Sequence, residues 1–579
     1  MALTLRSFFA IGRRALQHVA VATAALRSIG TPPARLAGSL ALNPLHIEKA
    51  ERAARVRSPQ LWYPATRRMK RKVILHLGPT NSGKTHGALE RLKQADSGMY
   101  CAPLRLLAWE VFDRLNTLGK ACDLITGQEI EEKEGSSLLS CTVEMVPTDT
   151  RVDVAVIDEM QMIGDSKRGW AWTRAFLGIQ ADEVHCCGDT TSEMLIRSLC
   201  ELTGDECIVQ EKRERLCPLV VDKRSLKGEL SRLEEGDCIV AFSRRQIYDI
   251  RQRVEGLAGK KCAVVYGSLP PEARKDQARR FNDRVDGVNI LVASDAVGMG
   301  LNLQIRRVIF SAVEKYDGEK RRPLSDSEVR QIAGRAGRFG SCFPIGRVSA
   351  MSKDALRFIK RALESGPLPP LEQAGFFPLV EQIEAFASAL HPSSPSLSEL
   401  LSLFLAKMEE ARTESGSSMG GERRGNVNSF FLCSPEEIIE VSKVVEKYDM
   451  PLRHLLTLSL SPVDANDMCS LQMIKACARG LEVGQVDIPH HFTDIPRLPR
   501  RDEKRRAAVL SQLESFHKAY DLYLWLAIRF PEAFISVDQA TALRDEVVKR
   551  INELLTNGVK LKAKKYERRR KKWQPRMRR

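Results

Sequence analysis

The sequence predicts an α/β fold, doubly wound on a mostly parallel sheet, then a mostly helical C-terminal region. Three observations predict it. Short apolar runs such as Val73-Ile74-Leu75-His76-Leu77 and Val152-Asp153-Val154-Ala155-Val156-Ile157 have the length and β-branched content of buried strands. The first of these runs passes through a glycine-rich turn into a helical stretch, as in a βαβ unit. Beyond Pro367–Pro370 the apolar spacing turns helical, as at Leu379, Ile383 and Phe386.

The chain has 579 residues, 43% hydrophobic and 28% charged, which excludes wholesale disorder. At roughly 100–200 residues per domain, three or four domains are expected. Gly 37 and Pro 27 exclude a collagen-like or low-complexity chain. No run of about 20 apolar residues occurs, so no membrane partner is expected. Fourteen cysteines without a CxxC pair point to reduced thiols in a reducing compartment. The net charge of +17 is concentrated at the ends, with +12 in residues 1–72 and +11 in residues 560–579, leaving −6 between them. The high pI is therefore no proof of a basic nucleic-acid channel in the body of the chain.

Residues 1–47 contain Arg6, Arg13, Arg14, Arg27 and Arg35, with no acid and no lysine. Leu5, Phe9, Leu16 and Val19 supply an apolar side. An arginine-rich, acid-free amphipathic start has the character of an organelle presequence, mitochondrial before chloroplast. Residues 1–50 are assigned to this targeting segment.

The strand Val73–Leu77 runs into Gly78-Pro79-Thr80-Asn81-Ser82-Gly83-Lys84-Thr85, a complete GxxxxGK[ST], with a helix expected over about 85–94. Glycines let backbone N–H groups turn toward phosphate oxygens, and the helix N-terminus adds its dipole. Lys84 is placed to bridge β- and γ-phosphates, and the Thr85 hydroxyl to hold Mg²⁺, with Mn²⁺ an alternative. The strand Val152–Ile157 ends in Asp158-Glu159-Met160-Gln161. An acid at such a strand tip holds the shared metal, so Asp158 joins Thr85 as a metal ligand. Glu159 is placed to orient or deprotonate the attacking water. Far downstream, Gln331-Ile332-Ala333-Gly334-Arg335-Ala336-Gly337-Arg338 is a QxxGRxGR run. Its glycines allow close backbone approach, and Arg335 and Arg338 share a helical face within reach of one phosphate group.

Together with Trp62-Tyr63-Pro64, Ala102-Pro103-Leu104-Arg105-Leu106-Leu107-Ala108, Tyr266-Gly267-Ser268-Leu269-Pro270-Pro271 and Ala293-Ser294-Asp295-Ala296-Val297-Gly298-Met299-Gly300, these motifs resemble superfamily-two helicases. More narrowly, the chain resembles the Suv-three family of mitochondrial ATP-dependent RNA helicases. The resemblance is dense over about residues 60–370 and returns at residues 520–534 (YDLYLWLAIRFPEAF). It implies two RecA-like domains that share ATP and Mg²⁺. Gln331, Arg335 and Arg338 would complete the site from the second domain, and Asp295 and Gly298 would link nucleotide to RNA. It further implies backbone contacts to RNA at Pro103, Arg105, Thr126, Gly127 and Thr142. The second domain would add Phe242-Ser243-Arg244 and Tyr266-Gly267-Ser268. Contacts of this kind read no sequence.

The resemblance implies 3′-to-5′ translocation and a 3′-to-5′ exoribonuclease partner in a mitochondrial degradosome. The expected location is the mitochondrial matrix, with the nucleoid as a finer placement and the nucleus as an alternative. Two other functions stay open. One is a multisubstrate helicase that also unwinds DNA and RNA–DNA hybrids, since only the 2′-OH separates the polymers at such contacts. The other is a non-translocating, ATP-switched RNA clamp for a nuclease, against which intact Glu159 and both arginines argue. A homodimer is also left open. Two positions depart from the family: Thr190 follows Gly188-Asp189 where the family usually has Pro, and Met160 replaces the usual Ile.

The expected division is residues 66–215 and 216–365 for the two RecA-like domains, 366–555 for the helical region and 556–579 for a basic tail. Cys238–Phe242, Asn289–Ala293 and Arg307–Phe310 read as strands of the second domain, and Pro435–Asp449 as a helix start. Residues 411–429 read as a disordered loop. Tyr520, Tyr523, Trp525, Phe530 and Phe534 have near-helical spacing, which favours a helix-packing core over RNA stacking. The basic run at 560–579 reads as a solvated tail, with RNA grip or nuclear import as alternatives.

Overall fold

The structure, a computed structural model, describes residues 44–556 except 57, 213, 299, 318–319, 391–394, 417–428, 434 and 500–502. The expected presequence over 1–43 and the basic run over 557–579 lie outside the described residues.

The first sheet has eight strands: β1 (Lys72–Leu77), β2 (Gly98–Ala102), β3 (Cys122–Ile125), β4 (Ile130–Glu131), β5 (Leu138–Thr142), β6 (Arg151–Ile157), β7 (Gln180–Gly188) and β8 (Glu206–Glu211). Their order is β4-β3-β5-β2-β6-β7-β1-β8, and every pairing is parallel except β3 with β4. Helix α1 (Pro44–Ala54) precedes the sheet, and α2 (Pro64–Arg67), α3 (Lys84–Gln94), α4 (Arg105–Thr117), α5 (Gly169–Gly178) and α6 (Glu193–Thr203) belong to it. Helices cover both faces, which is why β2 is buried throughout and β6 over its last four residues. The register matters for function. Leu77 pairs with Gly188 of β7, and Ile157 with Cys186, so β1 and β7 end together and β6 ends two residues short of them at the same edge. At the start of β1, Arg71 is fully buried and grips Asp205 with two hydrogen bonds of 3.1 and 2.6 Å. It also donates to the carbonyls of Phe176 and Ile179.

The second sheet comprises β9 (Leu219–Val221), β10 (Asp237–Val240), β11 (Lys261–Val265), β12 (Val288–Ala293) and β13 (Arg307–Phe310). The hairpin β14 (Glu314–Tyr316)–β15 (Arg321–Pro323) stands apart, and β16 (Gly346–Ala350) completes the sheet. Its order is β11-β12-β10-β13-β16-β9, all parallel. Helices α7 (Arg244–Leu257), α8 (Pro271–Asn282), α9 (Asp326–Ala333) and α10 (Lys353–Glu364) belong to it. These two sheets are the expected RecA-like pair.

The C-terminal region is not purely helical. β17 (Ala374–Phe376) and β18 (Phe430–Leu432) form a two-stranded parallel sheet among α11 (Val380–Leu390), α12 (Leu397–Gly416), α13 (Pro435–Val445), α14 (Leu452–Ser459), α15 (Met468–Val483), α16 (Glu503–Arg529) and α17 (Val537–Thr556). The structure shifts two assignments. Helix α1 buries Ala50 and Ala54 in the largest apolar core, so residues 44–50, placed by composition in the targeting segment, belong to the folded body. Helix α12 runs to Gly416, so residues 411–416 of the expected loop are helical, while 417–428 lie outside the described residues.

Tyr520, Tyr523, Phe530 and Phe534 are buried in the same core. Trp525 is only partly buried, with the Arg529 guanidinium 3.3 Å from its ring centroid. All fourteen cysteines are free thiols, and Cys342 alone is exposed. No helix among the described residues is long and apolar enough to cross a membrane.

Candidate active site

The loop Gly78–Gly83 joins β1 to α3. Gly83 sits at φ +78°, a left-handed conformation that costs a residue with a Cβ about 1–2 kcal/mol. The Lys84 ammonium donates to the Gly78 carbonyl at 3.0 Å. The Thr85 hydroxyl donates to Asp158 Oδ1 at 3.0 Å, joining the first two sequence motifs. Asp158 also accepts from the Tyr100 hydroxyl at 2.9 Å and from the Glu159 backbone at 2.9 Å. Burial, and then the neighbouring Glu159 charge, push the Asp158 carboxyl up to about 6. Glu159 moves the other way: burial opposes its charge, but Lys84, Arg335 and a hydrogen bond from Gln161 hold it below its ordinary value. It is kept ionised, as a general base must be. Glu159 also has φ 51°, strained for a residue with a side chain. A hydroxyl and a carboxylate meeting at one point are hard oxygen donors, so Thr85 and Asp158 fit Mg²⁺.

The second domain closes against this loop. A Cβ at Gly334 would lie 2.3 Å from the Thr80 hydroxyl, so only glycine permits the approach. The Asn81 amide donates to the Gly337 carbonyl at 2.9 Å. A cavity of about 360 Å³ lies between the domains, lined by Gly78, Pro79, Thr80, Lys84 and Glu159 on one side and by Gly298, Gln331 and Arg335 on the other. The Arg335 guanidinium donates to the Gly298 carbonyl, and its charge is drawn toward Glu159. Arg338 and Asp295 do not line this cavity. Arg338 is exposed, and Asp295 pairs with Lys315 at 3.2 Å. Ser82 is buried, with a hydroxyl that makes no hydrogen bond to protein.

Several lining residues were given no role at the site from sequence. Gln161 bridges Glu159, at 2.6 Å, to the Asp189 backbone, at 3.2 Å, and both Asp189 and Thr190 face the cavity. Thr190 therefore stands at the site, while Met160 is an ordinary core residue. Asp189 follows a strand end as Asp158 does, which is the signal that would have found it. Lys212 also lines the cavity, and Arg215 donates to the Gly334 and Ala336 carbonyls at 3.1 Å, fastening the interdomain linker to the arginine motif.

Most of the residues expected to hold an RNA backbone have polar groups engaged within the protein. Pro103, Thr126 and Thr142 are buried. Thr126 accepts from the Glu129 backbone within a turn, and the Pro103 carbonyl accepts from Arg168. Arg105 meets Asp521 at 3.1 Å and Glu272 at 3.2 Å. Arg244, Tyr266 and Ser268 converge on Glu514 at 2.9, 2.7 and 3.1 Å. A Cβ at Gly127 would lie 3.1 Å from the Trp525 ring, whereas Gly267 is open. The physical reason is the same for the charged residues: helix α16 lies over them and supplies carboxylates.

Two RecA-like domains, with a phosphate loop on the first and an arginine from the second in one cleft, define the two-domain P-loop fold of superfamily-two helicases. The matches are narrower. Residues 59–212 match the DEXQ-box helicase domain of Suv3, residues 212–340 the helicase conserved C-terminal domain, and residues 510–557 the ATP-dependent RNA helicase SUV3 C-terminal domain. The chain belongs to the Suv3 family. It is 44% identical over 476 residues to the mitochondrial DExH-box ATP-dependent RNA helicase DExH16 of Arabidopsis thaliana, covering 82% of this chain and 79% of that protein. It is 44% identical to the mitochondrial ATP-dependent RNA helicase SUV3 of Oryza sativa subsp. japonica, covering 82% of this chain and 78% of that protein. Against the mitochondrial ATP-dependent RNA helicase SUPV3L1 of Homo sapiens the identity is 39%, covering 87% of this chain and 62% of that protein. The chain thus spans about three fifths to four fifths of the length of these relatives.

Proposed function

We propose that the chain is an ATP-dependent RNA helicase of the mitochondrial matrix that hydrolyses ATP to move along RNA, 3′ to 5′, and unwind duplexes. The observation that carries this reading is the placement of Arg335, from the second domain, in the cavity that holds Lys84 and Glu159 of the first. Lys84 neutralises the phosphates. Glu159, held ionised, orients and deprotonates the attacking water, and Arg335 stabilises charge in the transition state. Mg²⁺ bound at Thr85 and Asp158 would neutralise charge across the β- and γ-phosphates. Arg335 and the Asn81–Gly337 bond make catalysis depend on closure, and closure moves the two RNA-facing surfaces relative to each other. The names of the relatives, mitochondrial RNA helicases, support the substrate and the location. Within this reading the partner is a 3′-to-5′ exoribonuclease, working with the helicase in a degradosome.

The test is steady-state ATPase activity with matched single-stranded RNA and DNA, alongside unwinding of 3′- and 5′-tailed duplexes, with Lys84→Ala as the inactive control. RNA stimulation with unwinding from the 3′ tail alone is expected. Equal stimulation by DNA with unwinding of duplex DNA would widen the substrate class. No stimulation and no unwinding would overturn the translocase reading in favour of an ATP-switched clamp.

A further inference from the structure

Helix α16 carries Glu514, His517, Asp521 and Trp525 at intervals of three, four and four residues, which places them on one stripe. This stripe crosses both RecA-like domains. Glu514 is 4% exposed; its Oε1 accepts from the Tyr266 hydroxyl, and its Oε2 from Ser268 and Arg244. Asp521 pairs with Arg105 of the first domain, and Trp525 packs on Gly127. Five residues assigned to the RNA backbone are therefore in contact with a single helix, and its carboxylates receive the donors that phosphates would use.

The middle of the stripe is incompletely satisfied. Arg105 Nε, Glu272 Oε2, His517 Nε2 and Asp521 Oδ1 are buried and make no hydrogen bond to protein. His517 stands 3.5 Å from Glu272 and 3.6 Å from Asp521, longer than a good hydrogen bond. A settled structural seam pairs its buried polar groups, because each orphan costs about 1–3 kcal/mol. This junction instead retains polar capacity: a ribose hydroxyl would donate to the open carboxylate oxygens of Glu272 and Asp521, and a phosphate would accept only from Arg105 Nε or a protonated His517 Nε2. Three carboxylates, Glu272, Glu514 and Asp521, thus hold two arginines that the resemblance assigns to a polyanion.

We propose that Glu514 and Asp521 are an internal stand-in for the RNA backbone. They hold Arg244, Tyr266, Ser268 and Arg105 in the strand-free state and compete with phosphates for them. The proposal rests on the RNA-helicase reading. Strand entry then exchanges carboxylate for phosphate at each donor, and the exchange lowers the net affinity of the grip.

The experiment measures the affinity of the full chain for a labelled oligouridylate, with thermal unfolding recorded for every variant. Glu514→Gln keeps the side-chain volume and removes the competing charge, and Asp521→Asn does the same at the less buried end. Each is expected to tighten RNA binding about tenfold, since removing a like charge opposite a phosphate is worth more than a kcal/mol. Glu364→Gln with Asp354→Asn, both exposed on α10, makes a larger change in net charge away from the site and is expected to leave affinity unchanged. Equal tightening in that control would overturn the proposal as a bulk charge effect. Unchanged or weaker binding in folded Glu514→Gln would also overturn it and make Glu514 a brace for the second domain. If Glu514→Gln does not fold, Asp521→Asn decides by the same criterion. Failure of the underlying reading is separate: Arg244→Ala with Ser268→Ala would then leave RNA affinity untouched.

Discussion

The Asn81 side-chain amide, in the phosphate loop of the first domain, donates to the backbone carbonyl of Gly337 in the second, 2.9 Å away. Asn81 Oδ1 also lies 3.4 Å from the Phe339 amide, so one side chain faces the arginine motif with both its polar atoms. The nucleotide loop and the arginine motif are thus fastened by a contact that touches neither phosphate ligand nor metal ligand.

That contact can be removed cleanly. Asn81 has φ 64°, so Asn81→Gly keeps the backbone conformation and deletes only the amide. A single such hydrogen bond contributes about 1 kcal/mol. Nucleotide affinity measured without RNA should stay within about twofold, while kcat falls about fivefold to tenfold. Equal loss in both quantities would show that Asn81 serves binding rather than closure.

The two arginines of the motif should not be equivalent. Arg335 lines the cavity near Glu159, whereas Arg338 is exposed. Arg335→Ala is expected to lower kcat by about 10³–10⁵, the range for a true arginine finger. Arg338→Ala is expected to cost at least tenfold less. Equal losses in steady-state kcat would place both arginines on the transferring phosphate.

Tyr100 predicts a metal phenotype. Its buried hydroxyl donates to Asp158 Oδ2, and hydrogen bonds to charged groups contribute about 1.5–3 kcal/mol. Tyr100→Phe should raise the Mg²⁺ concentration for half-maximal ATPase activity about tenfold, because Asp158 loses the donor that orients it. A Mg²⁺ titration with an unchanged midpoint would assign Tyr100 to packing alone.

A pH prediction comes from the opposite end of the sheet. Burial works to raise Asp205, but the Arg71 guanidinium, Thr203 and Arg67 hold it below the ordinary carboxylate value. A carboxyl depressed in the folded state contributes stability that is fully present above its unfolded pKa, about 4. That contribution is lost as pH falls through the lower, folded value. Asp205→Asn should cost about 3–5 kcal/mol at neutral pH, since it leaves Arg71 buried without its charge partner. Denaturant unfolding of the two proteins should converge as pH drops below about 4. A gap that persists there would point to lost packing instead.

Much of the nucleotide half was legible in the sequence because its groups are short-range. Gly83, Lys84 and Thr85 are consecutive, and Asp158 and Glu159 follow directly on a strand whose apolar run announces it. The pairing of Thr85 with Asp158 needed only the inference that two strands of one parallel sheet end at the same edge, although β7 lies between them. Tyr100 gave no such signal: it sits mid-strand in an apolar run, and only the neighbouring β6 makes its hydroxyl a ligand of Asp158. Arg215 was equally silent, one arginine in a charged linker until the chain folds it onto Gly334 and Ala336.

The backbone-contact residues show where the local reading stops. Arg105, Arg244, Tyr266 and Ser268 carry donors that are plain in the sequence, but residues that lie hundreds of positions away decide what they donate to here. Glu514 and Asp521 look in sequence like the polar face of a solvated helix. Trp525 has the same spacing as Tyr520 and Tyr523, yet it faces Gly127 and Arg529 while they are buried.

From the sequence by itself come the fold class, the phosphate loop, the acids and the arginine motif. Periodicity and short motifs encode backbone conformation and local chemistry within a few residues of each other. Only the tertiary structure decides that Thr80 abuts Gly334, that Arg335 rather than Arg338 enters the cavity, and that helix α16 meets Arg105, Gly127, Arg244, Tyr266 and Ser268. Each of these is a contact between segments far apart in the chain, set by which buried faces must pack together, and no local pattern specifies it.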